Sequence, residues 1–135
     1  MAKKKLAVLG MGVSGVSAAK LAHSRGYQVL AISRGEPSTW SCYDEIFPLL
    51  GENSMVSQEG LTSVHLQGYH QLVVSPGIAP EHRALEIAEQ LHLEIISEVE
   101  FAYRFLKDEK IIAITGTNGK TTTTLLTHHI LQNAG

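Results

Sequence analysis

One cysteine, four prolines and one tryptophan in 135 residues exclude several kinds of protein at the outset. A lone Cys42 cannot form an internal disulfide, so no covalent framework holds the chain, which suits a reducing compartment. No apolar stretch approaches the ~18 residues that a membrane helix needs. Neither sign of charge dominates: 11 Lys and Arg face 13 Asp and Glu, a net charge of −2. That balance offers no basic field for nucleic acid. Lipidation signals are missing too, since Ala2 stands where myristoylation needs glycine and the closing LQNAG carries no cysteine box. A cytoplasmic protein with neither nucleic acid nor membrane as partner is expected.

What the chain does have is a hydrophobic share of 44% and a charged share of 18%, ordinary values for a folded domain with one core. Lys3–Lys5 followed by LAVL has the outline of a secretory signal. The glycines that come next are spaced for a phosphate turn instead, and the segment runs on into a helical pattern.

The spacing of apolar residues predicts strands over Leu6–Leu9, Gln28–Ser33, Ser54–Ser57, Gln71–Ser75, Leu93–Ile96 and Lys110–Thr115. Helices are expected over Ser14–Arg25, Asp44–Leu50, Glu81–Leu91 with Pro80 as its opening residue, Ser97 to about Lys107, and Lys120–Asn133. Ser97 and Glu100 have capping-box spacing. Strands alternating with helices imply an α/β fold, a Rossmann-like parallel sheet with helices on both faces. The last strand, loop and helix read as the opening of a second unit, with the division at 97/98.

Two glycine loops carry the chemistry. Gly10-Met11-Gly12-Val13-Ser14-Gly15 is a GxGxxG between a strand and a helix. It offers a tight turn and free amides at a helix mouth for a diphosphate. An NAD site also needs an acidic residue at the end of the second strand; Ile32-Ser33-Arg34 stand there, with Glu36 only after Gly35. Gly116-Thr117-Asn118-Gly119-Lys120-Thr121 is the chemical half of a P-loop, with Ile114 where the full pattern wants glycine. Amides of Gly119–Thr121 can face phosphate oxygens, Lys120 brings a cation, and Thr121 a hydroxyl for Mg²⁺.

Together Gly10–Gly15, Val73–Ile78 (VVSPGI) and Ala113–Thr122 (AITGTNGKTT) resemble the Mur ligase family of bacterial cell-wall synthesis. VSPGI points to the branch that adds D-glutamate. Asn118 stands where the L-alanine-adding branch usually has His. The resemblance implies three domains, of which this chain is the first plus the start of the central ATPase domain. It implies ATP and Mg²⁺ as cofactors, UDP-N-acetylmuramoyl-L-alanine and D-glutamate as substrates, an acyl phosphate on the way to the amide, and a monomeric full-length enzyme. This chain alone is then expected to bind the UDP substrate without turnover. By position, Lys120 and Thr121 are implied as catalytic residues. Gly116, Thr117, Asn118, Gly119, Lys120, Thr121 and Thr122 are implied for ATP, with the Thr121 hydroxyl on Mg²⁺. Gly10, Gly12, Val13, Ser14, Gly15, Ser33, Arg34, Ser75, Pro76 and Gly77 are implied for the UDP substrate. The family often has Asp where Ile32 sits, at the uracil. The readings held beside this one are the L-alanine-adding ligase and a non-catalytic domain that senses NAD(H).

Smaller signals read as packing. Trp40 and Tyr43 are loop aromatics, Cys42 has no histidine partner, and the adjacent His128 and His129 point about 100° apart on a helix. The final helix carries Leu125, Leu126, Ile130 and Leu131, and is expected to be frayed, docked on a neighbour or folded back.

Overall fold

A computed structural model describes residues 3–106 and 108–135. Five strands form one sheet: β1 (Lys5–Leu9), β2 (Gln28–Ser33), β3 (Met55–Ser57), β4 (Gln71–Val74) and β5 (Glu94–Ser97). Their order is β3-β2-β1-β4-β5 and every neighbouring pair is parallel. Leu9 lies opposite both Ile32 and Val74, which aligns the carboxyl ends of the three central strands.

The pleat sends successive side chains to opposite faces, and helices cover both. Leu6 and Val8 meet Val16, Ala19 and Ala22 of α1 (Val13–Ser24), Ile46 of α2 (Tyr43–Leu50) and Phe101 of α5 (Glu98–Tyr103). Ala7 and Leu9 meet Leu66 of α3 (Ser63–Leu66) and Ala84, Ile87 and Ala88 of α4 (Arg83–Gln90). Small residues on α1 let it lie close to the sheet. It stops in a Schellman turn: the Gly26 amide donates to His23 O and the Tyr27 amide to Ala22 O, both at 3.0 Å, with Gly26 at φ +80°.

Helix starts follow their caps. Ser97 Oγ accepts from the Glu100 amide at 3.1 Å, as its spacing predicts. The reciprocal half of that box is not made, because Glu100 pairs with Arg104 Nε at 3.1 Å. The helix foreseen from Pro80 begins at Arg83, capped by the His82 ring, whose Nδ1 accepts from the Ala84 amide. The expected end of α5 at Lys107 lies outside the described residues.

The expected division at 97/98 falls between β5 and α5, yet α5 packs on this sheet. Phe101 is 1% exposed. It meets Tyr27 and Phe105 edge-on, at centroid distances of 5.9 and 5.2 Å. Arg25 lies over the Phe105 ring at 4.7 Å. Arg104 forks onto Glu94 at 2.7 and 3.0 Å.

Two expectations for the last segment are corrected. Lys110–Thr115 forms no strand, and no pairing of the sheet includes it. Parallel strands exist by exchanging hydrogen bonds with a neighbour, and this segment has none among the described residues. α6 (Lys120–Ala134) is a continuous helix without a buried residue, so it is neither frayed nor folded back on the sheet. Leu125, Leu126, Ile130 and Leu131 are 53–63% exposed. A helix closes its hydrogen bonds within itself, and Thr124 Oγ1 to Lys120 O and Asn133 Nδ2 to His129 O add local ones.

Candidate functional site

The strand order reverses direction at β1, so the crevice outside its carboxyl end is where an open α/β sheet receives ligands. The residues foreseen for the UDP substrate gather on this rim. Gly10–Gly15 form the β1–α1 turn, Ser33 ends β2 with Arg34 exposed beside it, and Ser75 follows β4 with Pro76 and Gly77 exposed after it. Ile32 is fully buried in the core, so Ser33 and Arg34 are what β2 presents at the rim.

The turn is held from both sides. The Gly10 amide donates to Ile32 O at 2.8 Å, and the Met11 amide to Ser33 Oγ at 3.4 Å. From the β4 side, the Ser75 amide donates to Leu9 O and the Ser75 hydroxyl to Gly10 O, both at 3.0 Å. Ser33 and Ser75, both expected by position at the UDP substrate, thus use their hydroxyls to shape the loop.

Its three glycines have different reasons. Gly10 adopts φ +94°, and a Cβ there would come within 2.8 Å of Ser75 Cβ. A Cβ on Gly15 would overlap the Gly10 carbonyl oxygen and lie 2.9 Å from its carbon. Gly12 differs: its φ of −77° suits any residue, and a Cβ would meet nothing within 4 Å. No atom of the described residues requires glycine there, and the space it leaves open lies at the mouth of α1.

That mouth is unpaired. The first helical bond is Val16 N–H to Gly12 O at 2.9 Å, so the amides of Val13, Ser14 and Gly15 precede it. α1 has neither a side-chain cap nor an acidic residue in its first turn. α6 shares both features. The other helices do not: α4 and α5 are capped by His82 and Ser97, His65 Nδ1 accepts from the Thr62 amide before α3, and α2 opens on Asp44 and Glu45. Partial positive charge at a helix start attracts anions. Among the described α-helices, the two starts with neither a side-chain acceptor nor a first-turn acid are those that follow the glycine loops.

At α6, Gly119 is the N-cap at φ +76°, and Lys120 Nζ donates to Gly116 O at 2.8 Å. Thr121 and Thr122 are exposed in the first turn. The described hydrogen bonds of Gly116–Thr124 are all local, so this loop is not tied to the first cradle.

Sequence reasoning missed the residues that fix the loop after β2. Glu59 Oε2 accepts from the Gly35 amide at 3.0 Å, and Trp40 Nε1 donates to Gly35 O at 3.1 Å. The Ser57 hydroxyl, then the Glu59 and Gly35 amides, hold the Glu59 carboxyl at about 2. Its folded value lies below the unfolded one of roughly 4.3, so the tether is present above that pH and is lost as pH falls toward 2. The Gly35 amide resonance is expected to titrate with a midpoint near 2, and not at all in Glu59→Gln. A midpoint near 4 would mean that the carboxylate does not hold this loop. Cys42 is buried, its thiol donates to Met11 O at 3.6 Å, and burial pushes its pKa up, so it packs and is a poor nucleophile.

Residues 4–97 match the family profile described as Mur ligase MurD-like, N-terminal domain. The UDP-N-acetylmuramoylalanine–D-glutamate ligase of Cytophaga hutchinsonii is 41% identical over 98% of this chain and 29% of its own length. The ligases of the same name from Synechococcus sp. and Thermoanaerobacter pseudethanolicus are each 38% identical, over 95% and 98% of this chain. The chain spans less than a third of the length of these relatives. On its sheet, its loops and these likenesses, the chain belongs to the Mur ligase family, in the MurD-like group.

Proposed function

We propose that this chain is the nucleotide-binding part of an ATP-dependent ligase that joins D-glutamate to UDP-N-acetylmuramoyl-L-alanine. Its β1–α1 cradle takes the diphosphate of that substrate. The observation that carries the reading is the open space at Gly12, set against an uncapped, acid-free helix start in a MurD-like domain.

Each residue has a task in this reading. The amides of Val13, Ser14 and Gly15 receive phosphate oxygens, and Gly12 lets them approach. Ser33 and Arg34 lie toward the nucleoside. The second loop suits ATP and Mg²⁺: its helix start is uncapped, Lys120 is held beside it by Gly116 O, and the Thr121 hydroxyl is exposed for the metal. When bound, these groups would supply the phosphoryl transfer that activates the substrate carboxylate, a step dominated by positioning and charge neutralisation. Gly116, Thr117, Asn118, Gly119 and Thr122 shape that site. The relatives are more than three times as long, and we assign turnover to the longer protein, with binding alone to these 135 residues.

UDP-N-acetylmuramoyl-L-alanine at a hundred times its Kd is expected to stabilise the chain by about 2.7 kcal/mol. That raises the melting temperature by roughly 10 °C for a domain of this size. NADH is expected to leave it unchanged, because β2 ends on Ser33 and offers no carboxylate to a ribose. A shift with NADH and none with the uridine ligand would transfer the function to NAD(H) sensing.

A further inference from the structure

Among the described residues one acidic side chain is buried. Glu98 is 7% exposed, and its Oε1 has no hydrogen-bond partner among the described residues. As the first residue of α5 it gains from the helix dipole, but that favours a carboxylate in water equally well and does not explain its burial. Leaving a buried carboxyl oxygen unpaired is costly, so Glu98 is a candidate acceptor.

The surroundings of Glu98 narrow the choice of donor. It lines an open groove of about 380 Å³ together with Val13, Ser14 and Ser17 of α1 and Val99 and Ala102 of α5. Val13 is 90% and Val99 77% exposed, so the groove has apolar lips, and Glu98 is the acidic residue among those that line it. Its upper end is the first turn of α1, where the diphosphate is placed. A phosphate would be repelled by Glu98, so the donor belongs to another part of the ligand. The strand order identifies which part. β2, with Ser33 and Arg34, flanks β1 on one side; β4 and β5, which leads into Glu98, lie on the other. A nucleoside diphosphate with its base toward β2 directs whatever is esterified to its far phosphate toward β5.

We propose that Glu98 is a specificity-determining residue. It accepts a hydrogen bond from a hydroxyl or amide N–H in the sugar-linked portion of the diphosphate ligand. This rests on the assignment of the β1–α1 cradle to a UDP-linked substrate.

Calorimetric titration of the 135-residue chain with UDP and with UDP-N-acetylmuramoyl-L-alanine tests it. The parent chain is expected to bind the second ligand more tightly than the first. Glu98→Leu removes the acceptor at similar volume and is expected to weaken the sugar-bearing ligand at least tenfold while UDP stays within twofold, as for a lost hydrogen bond to a charged group. Glu98→Gln keeps a carbonyl oxygen and is expected to recover part of that loss. A purely structural Glu98 would lower the melting temperature of Glu98→Leu and weaken both ligands alike, and that result overturns the proposal, as does unchanged affinity for both. If Glu98→Leu does not fold, Glu98→Gln with parent-like affinity for both ligands and a parent-like melting curve overturns it as well. A parent chain that binds neither ligand removes the cradle assignment itself, and this proposal with it.

Discussion

Gly15→Ala is expected to lose about 3 kcal/mol of stability or more, while Gly12→Ala stays within about 1 kcal/mol of the parent but binds its uridine ligand at least about tenfold more weakly. The two glycines are three residues apart in one loop, and only their surroundings separate them. A methyl group on Gly15 would overlap the Gly10 carbonyl, which is backbone and is fixed between β2 and β4. Relief requires α1 to move off the sheet, so the cost falls at the upper end for overpacked cores. The methyl group on Gly12 meets no atom, and exchanging glycine for alanine at an N-cap is a small change. What it fills is the approach to the free amides, so at least a tenfold loss of affinity for UDP-N-acetylmuramoyl-L-alanine is expected. Thermal melts and calorimetry on both variants decide the matter. Equal ligand affinity in Gly12→Ala and the parent would remove the cradle from the binding site.

Phe101→Ala is expected to cost roughly 3–5 kcal/mol, whereas a chain ending at Leu106 should melt within a few degrees of the parent. Phe101 is 1% exposed, in the cluster that contains Val8, Val16 and Ala22. Its loss leaves a cavity between α5 and α1 and unseats Tyr27 and Phe105. Residues 110–135 contribute no buried side chain, so their removal subtracts little from the core. Circular dichroism melts of the two proteins test this. A large drop on truncation and a small one for Phe101→Ala would place α5 outside the cooperative unit and leave it at the expected 97/98 division.

The parts of this fold written in short-range patterns were legible. β1 and β2 were readable because LAVL and VLAI are unbroken apolar runs with polar residues or glycine at their ends, and α1 because Gly26 ends it. Ser97 announced α5 through a cap only three residues long. The Lys110–Thr115 strand failed for the opposite reason: its apolar run has the right composition, but strand structure is a property of a pair. The one-turn α3 lies in a stretch, 58–70, whose only local signal is the Thr62–His65 contact. Within the site, GxGxxG gave the position of the turn but not the division of labour among its glycines, which depends on how near β4 comes. Glu59 was invisible because it acts on Gly35, 24 positions away; Glu98 could be read as an acid at a helix start, where negative charge is favoured, but its burial could not.

The double anchoring of the β1–α1 turn by Ser33 and Ser75 has a consequence for affinity. Ordering a flexible loop around an anion would charge its lost conformational entropy to the binding step. Here the cost falls on folding, before any ligand arrives, and the amides of α1 stand already aimed. Association at this rim is therefore expected to be a docking event, limited by diffusion and orientation and free of any slow rearrangement of the loop.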